Sequence, residues 1–197
     1  MSTRYIVNNV SGQTIDGNSI DPRYKVYTAL LSQNGGDDPQ NISADAVQPL
    51  TIGVTYQIST NDDAGDFTNI GAPNNNVGTS FVATGTTPNS WGNNPKGGEV
   101  SLSYNTGAPV VTVLENTIGN IWFTWDADGQ YYINSDDDTF ILGKTSTTPI
   151  HGDYTAGLST VISNANQITI FNYNNFPTIG DKVNNIGNTL IEIRVYN

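Results

Sequence analysis

The sequence predicts an all-β protein, an antiparallel sandwich or jelly-roll-like domain with a small β-module inserted in it. Three observations carry this. Apolar residues alternate or cluster in short runs, the period-two pattern of strands, and no stretch fits a helix template. The runs are bounded by Gly, Pro, Asn and Asp, which supply turn geometry. Charged residues are only 13% of the chain, against about 25% in ordinary soluble domains. The surface is therefore covered by Asn, Thr, Ser and Gly, a composition of β-rich proteins that work outside a cell or in an assembly.

Residues 1–23 contain Asn8, Asn9, Gly12, Gly17 and Asn18 and read as an N-terminal arm whose order depends on a neighbour. The β-domain spans 24–197, with the inserted module at about 50–100. Strands are predicted at Tyr24–Leu31, Val54–Ile58, Phe81–Thr84, Glu99–Tyr104 and Val110–Glu115. Two more, Asn120–Trp125 and Gln130–Asn134, flank the turn signal Asp128-Gly129 and form a hairpin. Trp122, Phe123, Trp125, Tyr131 and Tyr132 then make cross-strand aromatic pairs on its two faces. Thr145–Asn166 reads as loop or strand, with Ala156–Ile162 open to strand, short helical turn or loop. Gln167–Tyr173 is a strand, and so is Leu190–Tyr196, with Ile191, Ile193 and Val195 on one side.

The 197 residues carry 7 Lys plus Arg against 18 Asp plus Glu, a net charge of −11. Such a chain repels a phosphate backbone, so nucleic acid is a poor partner. The absence of Cys removes disulfides, thiolate nucleophiles and Cys-based metal sites, and a single His, His151, removes any two-His metal motif within one chain. No apolar run approaches the ~18 residues of a membrane span, and the N-terminus does not read as a signal peptide. No cofactor-binding motif is found.

Each candidate for chemistry has a plainer reading beside it. Asp126, Asp128, Asp136, Asp137 and Asp138 suggest calcium, but Gly129 falls at the fourth position of an EF-hand-like loop rather than the sixth. Turn chemistry is the favoured reading, and no metal site is assigned. Asp62, Asp63 and Asp66 offer carboxylates for a glycosidase pair, which needs a defined separation and one raised pKa. His151 beside Asp153 lacks a Gly-x-Ser-x-Gly partner, so no catalytic residue is assigned. Asn41-Ile-Ser fits a glycosylation acceptor, a match expected by chance in an Asn-rich chain. Trp91, in Pro88-Asn-Ser-Trp-Gly92, is either a plug at one end of a sandwich or a platform for a sugar ring. On the second reading Asn89 and Asn93 contact its hydroxyls, and Trp91→Ala abolishes glycan binding without lowering the melting temperature.

Two sets of segments resemble phage structural proteins. Gly53-Val-Thr-Tyr-Gln-Ile58, Gly65-Asp-Phe-Thr-Asn-Ile-Gly-Ala72 and Gly78-Thr-Ser-Phe-Val-Ala-Thr-Gly-Thr-Thr-Pro-Asn-Ser-Trp-Gly92 resemble a module of virion and tail-associated proteins of tailed phages and prophages. There "GxxYxI", "DFTNVGA" and "FxATGTTPxxW" recur in that order, and Ile70 replaces the usual Val. Tyr24–Gln33, Ala108–Gly119 and Ile191–Tyr196 are similar to short proteins encoded by phages of Bacteroidetes-type bacteria. The resemblance implies a module threaded between Leu31 and Val110 of a host β-domain, and a virion role. It carries over no catalytic residues.

The expected function is a non-enzymatic structural protein of a phage particle, a capsid decoration or spike or a tail appendage. Its expected partners are other copies of itself, a trimer being favoured, other virion proteins and a host-surface glycan. Symmetric closure would cover strand edges and apolar faces that a thin sheet leaves open. The alternative is a carbohydrate- or receptor-binding module in which Trp91 and the hairpin aromatics are the platform.

Overall fold

The computed structural model describes residues 14–15, 18–19, 23–33, 35–43, 49–92, 99–150, 156–174 and 182–197. In chain order the strands are β1 (Thr14–Ile15), β2 (Asn18–Ser19), β3 (Tyr24–Gln33), β4 (Pro39–Ser43), β5 (Thr55–Asn61), β6 (Ser80–Val82) and β7 (Val100–Asn105). There follow β8 (Val110–Asn116), β9 (Ile121–Ala127), β10 (Gln130–Ser135), β11 (Thr145–Ile150), β12 (Ala156–Asn164), β13 (Gln167–Asn174) and β14 (Ile186–Tyr196). Among the described residues one 3-10 turn, Thr68–Ile70, interrupts them. All strand pairs are antiparallel.

Three four-stranded sheets result, ordered β11-β14-β3-β8, β12-β13-β10-β9 and β4-β7-β5-β6, beside the small β1-β2 ribbon. The first two sheets enclose one core. Period-two alternation builds it: Tyr27, Ala29 and Leu31 of β3 and Ile191, Ile193 and Val195 of β14 face Phe123, Tyr131, Ile133, Ile168 and Ile170. Each fully buried large side chain contributes about 1.5–3 kcal/mol. The chain is thus all-β, with the sandwich the sequence predicts.

The third sheet lies in the chain between β3 and β8 and has its own cluster, including Tyr56, Ile58, Phe67, Ile70, Phe81 and Leu102. Its strands run from Pro39 to Asn105, further upstream than residue 50, because β4 pairs along β7 from Pro39↔Asn105 to Ser43↔Ser101. β4 escapes sequence reading because Pro39-Gln-Asn-Ile-Ser43 buries only Ile42. Hydrogen bonds donated by sandwich backbone amides tie this sheet to the sandwich. Phe123 N–H donates to Thr55 Oγ1 at 3.1 Å, and Val111 N–H donates to the Gly53 carbonyl at 2.9 Å. Gly53 has φ +87, and a Cβ there would stand 2.4 Å from the Val111 carbonyl oxygen, so only glycine fits the junction.

Thr145–Asn166, open to loop or strand from sequence, forms β11, β12 and the turn into β13. Pro149 lies on β11, at one edge of its sheet, where a missing N–H is tolerated. The hairpin of β9 and β10 turns at Asp128-Gly129. Gly129 has φ +61, and the register slips at Gln130/Tyr131, the combination found in a G1 bulge. The slip brings Trp125 opposite Tyr131. Of the N-terminal arm, only the ribbon and Arg23 fall within the described residues.

Candidate functional site

The loops of the third sheet are organised by one carboxylate. Asp66 Oδ1 accepts from Thr68 N at 3.0 Å, Thr68 Oγ1 at 2.7 Å and Asn75 Nδ2 at 3.1 Å. Its Oδ2 accepts from Asn89 Nδ2 at 3.0 Å. The backbones of Asp66 and Ser90 bond reciprocally at 2.8 and 3.3 Å, and Asn89 N–H donates to Asn69 Oδ1 at 2.9 Å. The hydrogen bonds from Thr68 and Asn89 hold the Asp66 carboxyl well below the usual carboxylate range. A general acid needs the opposite shift. Asp66 is thus the fastener between the "DFTNIGA" and "TTPNSW" segments, a role that a short polar side chain near a turn foreshadows without naming its partners.

Trp91 and Asn89 come together in this region, while Asn93 lies outside the described residues. Asn89 is exposed, but its amide is engaged with Asp66. Trp91 is half-buried and packs against the cluster of the third sheet. Its ring meets Phe67 edge-on, with centroids 5.5 Å apart and planes at 85°. The tryptophan is therefore part of the packing at the end of that sheet, so Trp91→Ala is expected to lower stability whatever it does to a ligand.

Other carboxylates accept side-chain hydrogen bonds, whereas the Asp63 Oδ2 oxygen is buried without a hydrogen-bond partner. Asp126 Oδ2 accepts from Gln130 Nε2 at 2.5 Å, Asp128 Oδ1 from Asn184 Nδ2 at 2.6 Å and Asp136 Oδ2 from Asn120 Nδ2 at 2.9 Å. Asp137 and Asp138 take φ of 57° and 48°, a left-handed turn that Asp tolerates. Among the described residues no group of three or more His, Cys, Asp or Glu side chains is placed to hold a metal ion. His151 and Asp153 lie outside those residues. No helix among them is long and apolar enough to cross a membrane.

The outer face of the sheet β12-β13-β10-β9 carries an arrangement that sequence reading finds only in part. Trp122 stands opposite Asn134, and Tyr132 stands between Thr124 and Thr169. Phe171 stands between Gln130 and Ser159. Trp122, Tyr132 and Phe171 are thus successive diagonal neighbours across three strands, each half-buried. Polar groups flank them. Asn134 Nδ2 donates to Thr124 Oγ1 at 3.1 Å and Gln167 Nε2 to Asn134 Oδ1 at 3.2 Å. Lys182 Nζ donates to Gln130 Oε1 at 2.6 Å and stands 4.6 Å from the Phe171 ring centre. A hydrogen bond with the Asp126 carboxylate is the main influence raising the Tyr132 phenol pKa. Phe171 and Lys182 are absent from the sequence-level candidates because only cross-strand register brings them beside the hairpin aromatics.

At another place, Phe140, Ile141, Leu142, Ile162 and Ser163 line an open hollow of about 400 Å³, where Leu142 is 82% exposed. Comparison with protein-family models, with curated proteins and with solved structures gives no match for this chain.

Proposed function

We propose that this chain is a non-enzymatic structural protein of a tailed-phage particle, a decoration or spike on the capsid or part of a tail appendage, working as a closed homo-oligomer with three copies favoured. The observation that carries the reading is an uncovered apolar row on the outer face of the sheet β11-β14-β3-β8. Ile150, 55% exposed, stands opposite Leu190, which stands opposite Leu30, 42% exposed. On the same face, Val110 of the edge strand β8 stands exposed opposite Ser32. A charge-poor protein with such a row gains by burying it against identical or neighbouring subunits. The segment resemblance to virion proteins and the all-β architecture point the same way. Asp66, held ionised among donors rather than raised as a general acid, fits a non-enzymatic role.

Light scattering tests the reading: a mass of several chains, three being expected, supports it. A monomer that hydrolyses a polysaccharide overturns it.

A second reading, a glycan- or receptor-binding module for host attachment, is favoured by the diagonal of Trp122, Tyr132 and Phe171 with its flanking amides. The two readings coexist in a particle component that also touches the host surface.

A further inference from the structure

We infer that the outer face of the sheet β12-β13-β10-β9 binds a neutral, linear glycan along the diagonal from Trp122 through Tyr132 towards Phe171. The inference rests on the glycan-binding reading and names its site and ligand class. Diagonal neighbours on adjacent strands are about 7–8 Å apart, so the three rings mark a straight track of about 15 Å across strands β9, β10 and β13. Sugar rings present apolar C–H faces that stack on aromatic rings, and hydroxyls around their edges that need donors and acceptors. The track supplies both. Tyr132 is half-buried on the outer face of the sheet, and so is Trp122, which also packs against the sandwich core cluster. Asn134 and Gln167 line one side of Tyr132, and Gln130 and Asp126 the other.

The third ring differs. Lys182 caps Phe171 and donates to Gln130, so this end offers an ammonium and an amide rather than an open ring. It reads as the polar terminus of the track, where hydroxyls of the last sugar take hydrogen bonds. Charge selects the ligand class. Lys182 and Asp126 place one charge of each sign on this face, and the chain's net charge of −11 repels polyanionic saccharides at longer range.

The Trp91 loop is a separate place, on the third sheet, where Trp91 packs edge-on against Phe67 and the Asn89 amide is bonded to Asp66, as the amides of the track are bonded to their own neighbours.

The test uses the full chain with cello-, malto-, manno- and chitohexaose and, as the acidic probe, an alginate hexamer, read by tryptophan emission and melting temperature. The expected result is a shift in emission with at least one neutral hexaose and none with alginate. Tyr132→Ala weakens binding about tenfold, the loss of one stacked ring. Tyr132→Phe, which keeps the ring, retains affinity within about twofold. Leu142→Ser on the distant exposed loop leaves binding unchanged. An unaltered far-UV spectrum and melting temperature show that Tyr132→Ala is folded, and Gln130→Ala supplies a second variant with its core intact. Binding that survives Tyr132→Ala and Gln130→Ala but is lost in Trp91→Phe places the glycan on the loop, overturning this inference while leaving the glycan-binding reading standing. Binding of alginate alone overturns the ligand class. No binding by any of the five overturns the inference and the glycan-binding reading together, and leaves the virion reading untouched.

Discussion

Asn89 Nδ2 donates to Asp66 Oδ2 at 3.0 Å, joining two loops 23 residues apart in the chain. The same carboxylate holds Thr68 and Asn75 through its other oxygen. Its pKa is depressed in the folded chain, so its contribution to stability is fully present above the ordinary carboxylate range near pH 4. That contribution is lost as the pH falls from there through the depressed folded value. Asp66→Asn therefore removes part of the acid sensitivity of the third sheet. Urea unfolding of wild type and variant at pH 7 and at pH 2 checks this; an equal loss of stability in the two contradicts it.

Trp91→Ala lowers stability by about 2–3 kcal/mol through lost packing on Phe67. Trp91→Phe costs less because it keeps an aromatic edge against that ring. Urea unfolding of the two variants measures the difference.

Gly53→Ala costs about 2 kcal/mol, because a positive φ and a contact with the Val111 carbonyl both oppose a Cβ. The loss falls on the junction between the third sheet and β8. Hydrogen exchange at the Val111 amide, which donates to Gly53, accelerates in the variant more than exchange at Ile193 in the sandwich core.

Tyr131→Phe costs about 1–2 kcal/mol, since it removes the hydroxyl that donates to the buried Gln33 Oε1 at 2.8 Å. Gln33→Leu in the Tyr131→Phe background recovers part of that loss, because the Gln33 Oε1 acceptor is no longer buried without its donor. A double-mutant cycle by thermal melting reads the coupling.

The strand pattern was legible wherever burial alternates. Ile191, Ile193 and Val195, which the sequence places on one side of their strand, point inward, and so do Phe123 and Tyr131. β4 was not legible, because four of its five residues are polar or Pro and its place is set by pairing with β7. β11 and β12 were ambiguous for a similar reason: Thr145-Ser-Thr-Thr-Pro-Ile150 has no apolar alternation, and its strand form depends on β14 alongside. At the candidate sites, the aromatic content of the hairpin could be read from the sequence. The slip at Gln130/Tyr131, which turns Trp125 towards the core side with Tyr131 and leaves Trp122 and Tyr132 outside, is a register property. The two donors from Thr68 are local to Asp66, but neither the Asn89 donor nor the place of Lys182 over Phe171 has a local sequence signal, because each joins segments distant in the chain.

The central proposal is that the chain is a built-in component of a phage particle. Particles released on lysis of a bacterial culture that carries its gene, purified on a density gradient, would be assayed by mass spectrometry and by antibody labelling in the electron microscope. The account predicts that the chain sediments with the particles at a fixed copy number and labels the capsid surface or the tail. A chain found only in the soluble fraction, with unlabelled particles, would contradict it.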